Sequence, residues 1–309
     1  MSDTTNTPID PAPFRSGFVN IIGRPNAGKS TLMNALVGER MSIITHKPQT
    51  TRHRIIGIVN SEQFQIVFSD TPGYVHDPSY KMHFVMNRSV EGTLEDADLL
   101  LLVFDLTEEL TDDNPVLGML AGAGAPVLLV LNKKDLVQEQ RISDTLNWWK
   151  KRIPVADHIA ISALKSENTT LLLQKIVSYL PEGPAYYPQD QLTDRPERFF
   201  VAEIIREKIF LLYSEEVPYS SEVGIESFQE TQTKNGEPLA RIRATIYVLR
   251  ETQKGILLGK GGTAIKKLGM LSRLEIERFL ETKVHLELTV KVRGNWRDDE
   301  RALKQFGYE

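Results

Sequence analysis

The chain has 309 residues, of which 41% are hydrophobic and 25% charged, a composition typical of a soluble globular protein with room for two domains. Cysteine is absent, so disulfides and thiolate metal sites are excluded. The net charge of −4 argues against nucleic acid, but residues 241–309 carry 15 Lys and Arg against 9 Asp and Glu. This basic segment on an acidic body is typical of nucleic-acid binders, and a solvated mixed-charge surface is the alternative.

The predicted elements begin after a polar tail. Residues 1–13 are rich in Thr and Pro and lack an apolar core, which predicts a disordered tail rather than a secretory signal. Residues 14–181 alternate short apolar runs with amphipathic ones, which predicts an α/β domain with a mostly parallel sheet and helices on both faces. The predicted strands are Gly17–Gly23, Arg54–Val59, Gln63–Ser69, Asp98–Leu106, Ala125–Asn132 and His158–Ser162, with a helix at Lys29–Val37 and further helical segments between the last four strands.

A second, smaller domain follows a linker. Residues 182–195 contain prolines and a glycine without periodicity, which is typical of a linker. Residues 196–309 then predict an α+β domain in the order α-β-β-α-α-β, closed by a last helix. Its predicted elements are a helix at Phe199–Tyr213, strands at Ser221–Gln229, Ala240–Leu249 and Val284–Val292, a helical stretch from Glu251 to Leu280 broken at Gly259–Gly262, and a final helix at Trp296–Phe306.

The first chemical motif is the phosphate-loop pattern GxxxxGK[ST] between a predicted strand and a predicted helix. Glycines let successive backbone N–H groups surround phosphate oxygens, and the helix N-terminus adds a favourable dipole. We expect Lys29 to reach the β- and γ-phosphates and the Ser30 hydroxyl to coordinate Mg²⁺. The predicted phosphate-binding residues are Gly23, Arg24, Pro25, Asn26, Ala27, Gly28, Lys29, Ser30 and Thr31.

A DxxG motif, Asp70-Thr71-Pro72-Gly73, follows the third predicted strand. Asp70 can hold Mg²⁺ through water, and the Gly73 N–H can sense the γ-phosphate. All four residues are predicted to bind nucleotide, although the pattern alone also describes an ordinary turn.

The base is predicted from two later strand ends. Asn132-Lys133-Lys134-Asp135 follows a buried strand, and the Asp135 carboxylate can accept hydrogen bonds from both N1–H and the 2-amino group of guanine, a donor pair that adenine lacks. Ser162, Ala163 and Leu164 can offer backbone N–H groups to the guanine O6. Together with Asn132 and Lys133, these residues predict a GTP site rather than a general NTP site.

The break at Gly259-Lys-Gly-Gly262 lies between two predicted helices and resembles the GxxG loop of a KH domain, which clamps about four single-stranded nucleotides. The element order resembles the prokaryotic, type II variant. Ile256, Leu257 and Ile265 are candidates for an apolar floor beneath bases, and a solvated helix face is the alternative for the two later lysines. The predicted RNA-binding residues are Ile256, Gly259, Lys260, Gly261, Gly262, Lys266 and Lys267.

Taken together, the motifs resemble those of the Era GTPases, within the translation-factor-like (TRAFAC) class. The resemblance covers all but the N-terminal tail and extends to Pro48-Gln-Thr-Thr-Arg-His53, Gly183–Pro188 and Phe200–Lys208. It implies that Gln49–Arg52 forms switch I and that Thr50 or Thr51 coordinates Mg²⁺ beside Ser30 and Asp70. Related loops favour Thr51, and both alternatives stay open here.

The resemblance also implies activity, partners and place. It implies Mg²⁺-dependent hydrolysis of GTP to GDP and phosphate with Lys29, Thr51, Asp70 and Gly73 as catalytic residues. It further implies binding to the 3′ end of 16S rRNA, a role in assembly of the small ribosomal subunit, and peripheral association of a cytoplasmic protein with the inner face of the membrane. We also expect a monomer.

Slow hydrolysis is predicted because Tyr74 stands where many small GTPases carry a water-orienting glutamine. Asn26 either holds a K⁺ ion beside the phosphates, as in related GTPases, or simply shapes the loop. His53 is interpreted as a polar surface residue near switch I rather than a general base.

Two other functions compete with a GTPase switch. One is a non-catalytic RNA-binding scaffold that uses GTP as a structural ligand. The other is a GTPase of tRNA modification or membrane traffic, against which the GxxG loop and the lack of a C-terminal Cys tail argue.

Overall fold

The computed structural model describes residues 13–45, 47, 49–75, 77–120 and 122–308. Apart from Pro13, the predicted disordered tail at residues 1–13 lies outside these residues, as does Pro48 of the switch I motif.

A six-stranded sheet forms the centre of the first domain, in the order β2-β3-β1-β4-β5-β6. Only β2 runs antiparallel to its neighbour, β3, and the other pairs are parallel. The mostly parallel α/β domain predicted from the apolar runs is therefore confirmed. The strands are β1 (Arg15–Ile22), β2 (Ile55–Asn60), β3 (Phe64–Asp70), β4 (Leu99–Asp105), β5 (Val127–Asn132) and β6 (Asp157–Ala160).

Helices cover both faces of this sheet, because its central strands are apolar on both sides. All seven residues of β4 and all six of β5 are buried. One face packs with Leu32 and Ile176, and the other with Trp149, which is fully buried. The helices are α1 (Lys29–Val37), α2 (Lys81–Glu95), α3 (Pro115–Leu120), α4 (Glu139–Lys150) and α5 (Thr169–Tyr179).

The last strand of this sheet is shorter than the sequence predicts. It ends at Ala160 rather than Ser162, because Ser162 turns away to form an isolated bridge with Glu167. The loop after β6 thus starts earlier and brings residues 162–164 towards the phosphate loop.

The linker at residues 182–195 lies along the edge of the first sheet. The Ile58 N–H of edge strand β2 donates to the Leu192 carbonyl at 2.8 Å. The Gln65 side chain accepts from the Tyr186 and Tyr187 N–H groups and donates to the Tyr187 carbonyl. Because an uncovered edge strand invites pairing with other chains, this segment also protects β2.

The second domain has a separate three-stranded sheet in the order β7-β8-β9. β7 and β8 are antiparallel, β8 and β9 are parallel, and the helices pack on one face around Ile205, Ile246 and Ile276. The predicted α+β domain is confirmed. Its elements are α6 (Glu197–Leu212), α7 (Glu216–Ser220), β7 (Glu222–Gln232), β8 (Pro238–Val248), α8 (Glu251–Leu258), α9 (Thr263–Leu280), β9 (Lys283–Val292) and α10 (Glu300–Gln305).

The final helix differs from its prediction at Trp296–Phe306. Helix α10 begins only at Glu300, where the Asp299 carboxylate caps it by accepting from the Ala302 N–H. Trp296 is fully buried in the turn before it. We call residues 293–308 the C-terminal segment.

The C-terminal segment packs back onto the first domain. Trp296, Leu303 and Tyr308 form one buried cluster with Met82 and Met86 of α2. The chain's last described residues therefore contact the helix that follows the DxxG motif.

Candidate nucleotide and RNA sites

The phosphate loop lies between β1 and α1, and its backbone requires glycine at close approaches. Gly28 has φ +96°, and a Cβ there would collide with the Asn132 side-chain amide. Lys29 Nζ donates to the Gly23 and Arg24 carbonyls, each at 2.9 Å. Burial lowers the pKa of Lys29, against the opposing attraction of Asp70. The ammonium group is thus held inside the loop, where phosphate oxygens would meet it.

Three oxygen-bearing side chains meet at the start of α1. Ser30 Oγ donates to Asp70 Oδ2 at 2.8 Å and lies 2.9 Å from Thr51 Oγ1. Burial raises the pKa of Asp70, partly offset by Lys29. The second carboxylate oxygen, Asp70 Oδ1, is buried and has no hydrogen-bond partner among the described residues. Carboxylate and hydroxyl oxygens are the ligands that Mg²⁺ prefers, so this corner fits that ion.

Thr50 and Thr51 face different ways. Thr50 Oγ1 donates to the Lys47 carbonyl at 2.6 Å and contacts Thr45 Oγ1, away from Asp70. Only Thr51, of the two, places its hydroxyl beside Ser30. The geometry therefore offers Thr51 as the metal-side residue.

Asn132 connects the base end of the site to the phosphate end. Its Nδ2 donates to the Ala27 carbonyl at 2.9 Å, and its Oδ1 accepts from the Ala163 N–H at 3.0 Å. The Ala163 N–H that the sequence offers to guanine thus makes a hydrogen bond within the protein. Asn132 acts here as a brace between two loops rather than as a group presented to a base.

Asp135 lies at the other end of the same cleft. A hydrogen bond from Ser162 and the ammonium of Lys165, 3.3 Å away, keep the pKa of Asp135 below its usual range. The carboxylate is therefore ionised and able to accept two donors. Leu164, 82% exposed, forms the rim.

A cleft of about 460 Å³ joins these groups. Of the predicted nucleotide-binding residues, Gly23, Arg24, Ala27 and Pro72 do not line it, and Asp70 lies buried beneath it. The Arg24 side chain instead pairs with Glu108 at 3.3 Å. The predicted residues that line the cleft are Pro25, Asn26, Gly28, Lys29, Ser30, Thr31, Thr50, Thr51, Thr71, Gly73, Asn132, Lys133, Asp135, Ser162, Ala163 and Leu164.

Part of the cleft wall was not predicted from the sequence. Ile43, Ile44, Lys47 and Leu136 also line the cleft, and Ser42 Oγ donates to Asp70 at 2.9 Å. These residues match no nucleotide-binding pattern, and their position follows only from the path of the loop after α1.

The GxxG loop is exposed and stands between α8 and α9. Gly259, Gly261 and Gly262 have φ of +69°, +61° and +77°, which is why glycine is needed there. Lys260, Lys266 and Lys267 are exposed, and Ile256 is 54% exposed beside them. Of the proposed apolar floor, Leu257 is fully buried core, Ile265 is partly buried, and Ile256 is the most open to solvent.

Switch I is buried against the second domain. The Arg52 guanidinium, 2% exposed, donates to the carbonyls of Ser221, Pro218 and Tyr219 and pairs with Glu222 at 3.2 Å. Although burial alone would raise it, the positive charges of Arg52 and Arg206 hold the pKa of Glu222 below its usual range. The Arg52 side chain of switch I is thus held by α7, by β7 and by the residue between them.

A second contact fixes the same stretch from α6. Arg206, fully buried and paired with Glu203, donates to the Thr50 carbonyl at 2.5 Å. The interpretation of His53 as a polar surface residue is wrong, because its ring is buried and lies tilted against the Tyr308 ring, with the ring centroids 4.4 Å apart. Its pKa is lowered by burial, so it is a neutral interdomain side chain.

Within the part of the chain that the structure describes, no helix is long and apolar enough to cross a membrane.

Comparison with known proteins identifies both domains. Residues 18–133 match the family model described as 50S ribosome-binding GTPase, and residues 216–297 match the KH domain model. The GTPase Era of Syntrophus aciditrophicus is 47% identical over 96% of this chain and 95% of that protein. The chloroplastic GTPase ERA1 of Zea mays is also 47% identical, over 96% of this chain and 71% of that protein.

Two solved structures share the whole architecture. A variant of Aquifex aeolicus Era bound to GDP and aluminium fluoride has a TM-score of 0.89 and 36% identity, and it covers 96% of this chain and 99% of its own. Era in complex with MgGDPNP and nucleotides 1506–1542 of 16S ribosomal RNA gives the same values.

Proposed function

This chain belongs to the Era family of GTPases, and from that premise we propose that its GTP state controls binding to the 3′ end of 16S rRNA during assembly of the small ribosomal subunit. Hydrolysis of GTP to GDP is the activity of the family. The observation that carries the proposal is the burial of switch I, through Arg52 and the Thr50 carbonyl, under the domain with the GxxG loop.

At the nucleotide, Lys29 neutralises the β- and γ-phosphates and the Gly73 N–H contacts the γ-phosphate. Ser30 and Thr51 would supply hydroxyls to Mg²⁺, and Asp70, whose Oδ1 has no partner among the described residues, would stabilise the ion with its negative charge. When bound, the ion neutralises charge that develops on the phosphate oxygens. A structure of Era in complex with MgGDPNP supports the presence of the metal at this site. Asp135 selects guanine.

Hydrolysis in this chain is slow, because the half-buried Tyr74 cannot orient water as a glutamine side chain does. Asn26, with φ +65° at the cleft, would hold a K⁺ ion beside the phosphates. Such an ion would supply positive charge where other GTPases use an arginine finger.

On the RNA side, the three glycines let the backbone approach phosphates, and Lys260 supplies charge. Ile256 offers an apolar surface to a base, and Lys266 and Lys267 extend the positive field along α9. A relative's complex with nucleotides 1506–1542 of 16S rRNA supports the choice of RNA.

The two sites communicate through switch I. Thr51 contacts Ser30 beside the phosphate loop, whereas the neighbouring Thr50 carbonyl and the Arg52 side chain bond to the second domain. A movement of switch I when the γ-phosphate is lost therefore changes the position of the second domain.

A multiple-turnover assay distinguishes the GTPase switch from a non-catalytic scaffold. Purified protein is incubated with GTP, with and without the 3′-terminal fragment of 16S rRNA, and phosphate release is followed. We expect more than one GTP hydrolysed per protein and a faster rate with RNA. A single equivalent or less, unchanged by RNA, would support a scaffold. A 23S rRNA fragment is the matched control.

The domain boundaries at residues 181 and 196, a cytoplasmic location, a monomeric state and peripheral membrane association stay predictions.

A further inference from the structure

The N-terminus of α2, the helix after the DxxG motif, is capped by residues from the other end of the chain. Tyr80, at the cap position, makes no side-chain hydrogen bond to the helix. The Lys81 N–H donates instead to Asp298 Oδ1 and the Met82 N–H to the Arg297 carbonyl, each at 2.9 Å. Two of the free N–H groups of the helix are therefore satisfied by the C-terminal segment.

Side-chain contacts to Tyr80 also hold the start of α2. The Arg297 guanidinium stacks 3.9 Å above the Tyr80 ring, whose other neighbour is His83 at 3.8 Å. The C-terminal segment is itself fixed, because buried Trp296 donates from Nε1 to the Ser220 carbonyl of α7 at 3.1 Å. The cap is thus anchored to the RNA-binding domain.

The helix transmits its position to the reaction site through Asn87. This α2 side chain accepts from the Val75 N–H at 2.9 Å and donates to the Val75 carbonyl at 2.8 Å. Val75 is two residues after Gly73, which lines the nucleotide cleft. A shift of α2 therefore moves the peptide beside the γ-phosphate.

From these contacts we infer that Asp298 and the Arg297 carbonyl are positioning groups for GTP hydrolysis, acting through α2. They touch neither nucleotide nor metal corner. They set the start of α2, Asn87 holds Val75, and Val75 fixes the approach of Gly73. The RNA-binding domain thereby acts on hydrolysis by a route separate from switch I. The inference rests on the GTPase activity but not on the identity of the RNA.

The test compares variants of one acidic cluster in the full-length protein. Asp298→Ala removes the cap, Asp298→Asn keeps a capping side chain, and Glu300→Ala removes an exposed carboxylate that binds the Nζ of the same Lys81 at 2.8 Å. Turnover number and KM for GTP are measured without RNA, together with hydrogen exchange of the Lys81 and Met82 amides.

We expect Asp298→Ala to lower the turnover number about fivefold with KM within about twofold, and to speed exchange at Lys81 about fivefold, the size of a lost helix cap. Asp298→Asn should restore most of both, and Glu300→Ala should change neither. Faster exchange with an unchanged turnover number would overturn the inference, as would an equal loss in Glu300→Ala or a rise in KM alone.

Exchange of the β8 amides reports whether Asp298→Ala retains the fold. Should it not, Asp298→Glu decides the question, because its extra methylene moves the carboxylate away from the Lys81 N–H while the charge stays. Lower turnover in that variant supports the inference, and wild-type turnover contradicts it.

Discussion

The nucleotide cleft and the GxxG loop both depend on glycines with positive φ, but the two loops are held differently. In the cleft, Asn132 and Asp70 reach across from other strands to fix the phosphate loop. The GxxG loop is held by local bonds, from the Gly262 N–H to the Gly259 carbonyl and from Thr263 Oγ1 to the Lys260 carbonyl. A substitution in the cleft therefore affects several elements at once, whereas the GxxG loop can be changed without disturbing other elements.

The largest expected effect is on RNA affinity, from substitutions in the GxxG loop. Replacing Lys260 and Gly261 with Asp places two negative charges against RNA phosphates, one of them at a φ of +61°. RNA affinity should fall by more than about 100-fold, measured by fluorescence anisotropy with a 16S rRNA 3′ fragment. GTP binding should stay unchanged.

The control for that pair is Lys304→Asp, which adds negative charge on the exposed surface of α10. Equal loss of RNA binding in the control, or weaker GTP binding in the double variant, would show that the GxxG loop is not independent.

The next effect tests the base end of the cleft. Asp135→Asn removes an acceptor and adds a donor, so GTP affinity should fall about 100-fold while xanthosine triphosphate, which presents an acceptor there, binds as well or better. Titration calorimetry with both nucleotides measures this. Glu167→Gln, at the exposed ion pair with Lys134, is the control. Equal loss of both nucleotides would contradict the assignment of Asp135.

A smaller effect separates the two threonines of switch I. Thr51→Ala removes the hydroxyl 2.9 Å from Ser30, and the turnover number should fall about tenfold and require more Mg²⁺. Among the described residues, the Thr50 hydroxyl bonds to Thr45 and Lys47 rather than to Ser30 or Asp70, so the Mg²⁺ dependence of Thr50→Ala should match that of the wild type. A Mg²⁺ titration of phosphate release decides between them, and the reverse order would exchange their roles.

The smallest expected effect concerns Asn26. Replacing Na⁺ by K⁺ at constant ionic strength should raise the hydrolysis rate about threefold or more, because the ion adds positive charge beside the phosphates. Asn26→Ala should lose this response. If the wild-type rate is the same in both salts, Asn26 only shapes the loop.

The same contrast explains what the sequence could predict. The phosphate loop, the DxxG turn and the GxxG loop are local patterns, and each was predicted with its flanking strand or helix. His53 was misread because its partners, Tyr308 and Phe199, are far away along the chain. Arg52 with Glu222, and Lys81 with Asp298, pair across 170 and 217 positions, so no local pattern indicates them.

The predicted boundaries of two elements are wrong for the same reason. Trp296 satisfies a helical pattern, but its ring is buried against α2 and α7, and the chain turns there instead of coiling. Strand β6 stops early because Ser162 pairs with Glu167 rather than with β5. In both places a tertiary contact prevails over the local preference.

The central claim is that switch I transmits the nucleotide state to the RNA-binding domain. Its most direct test is the affinity of the full-length protein for the 16S rRNA 3′ fragment, measured with a non-hydrolysable GTP analogue, with GDP and without nucleotide. The account predicts binding about tenfold tighter with the GTP analogue than with GDP, and a loss of that ratio in Arg206→Met. Equal affinity in all three states would contradict it.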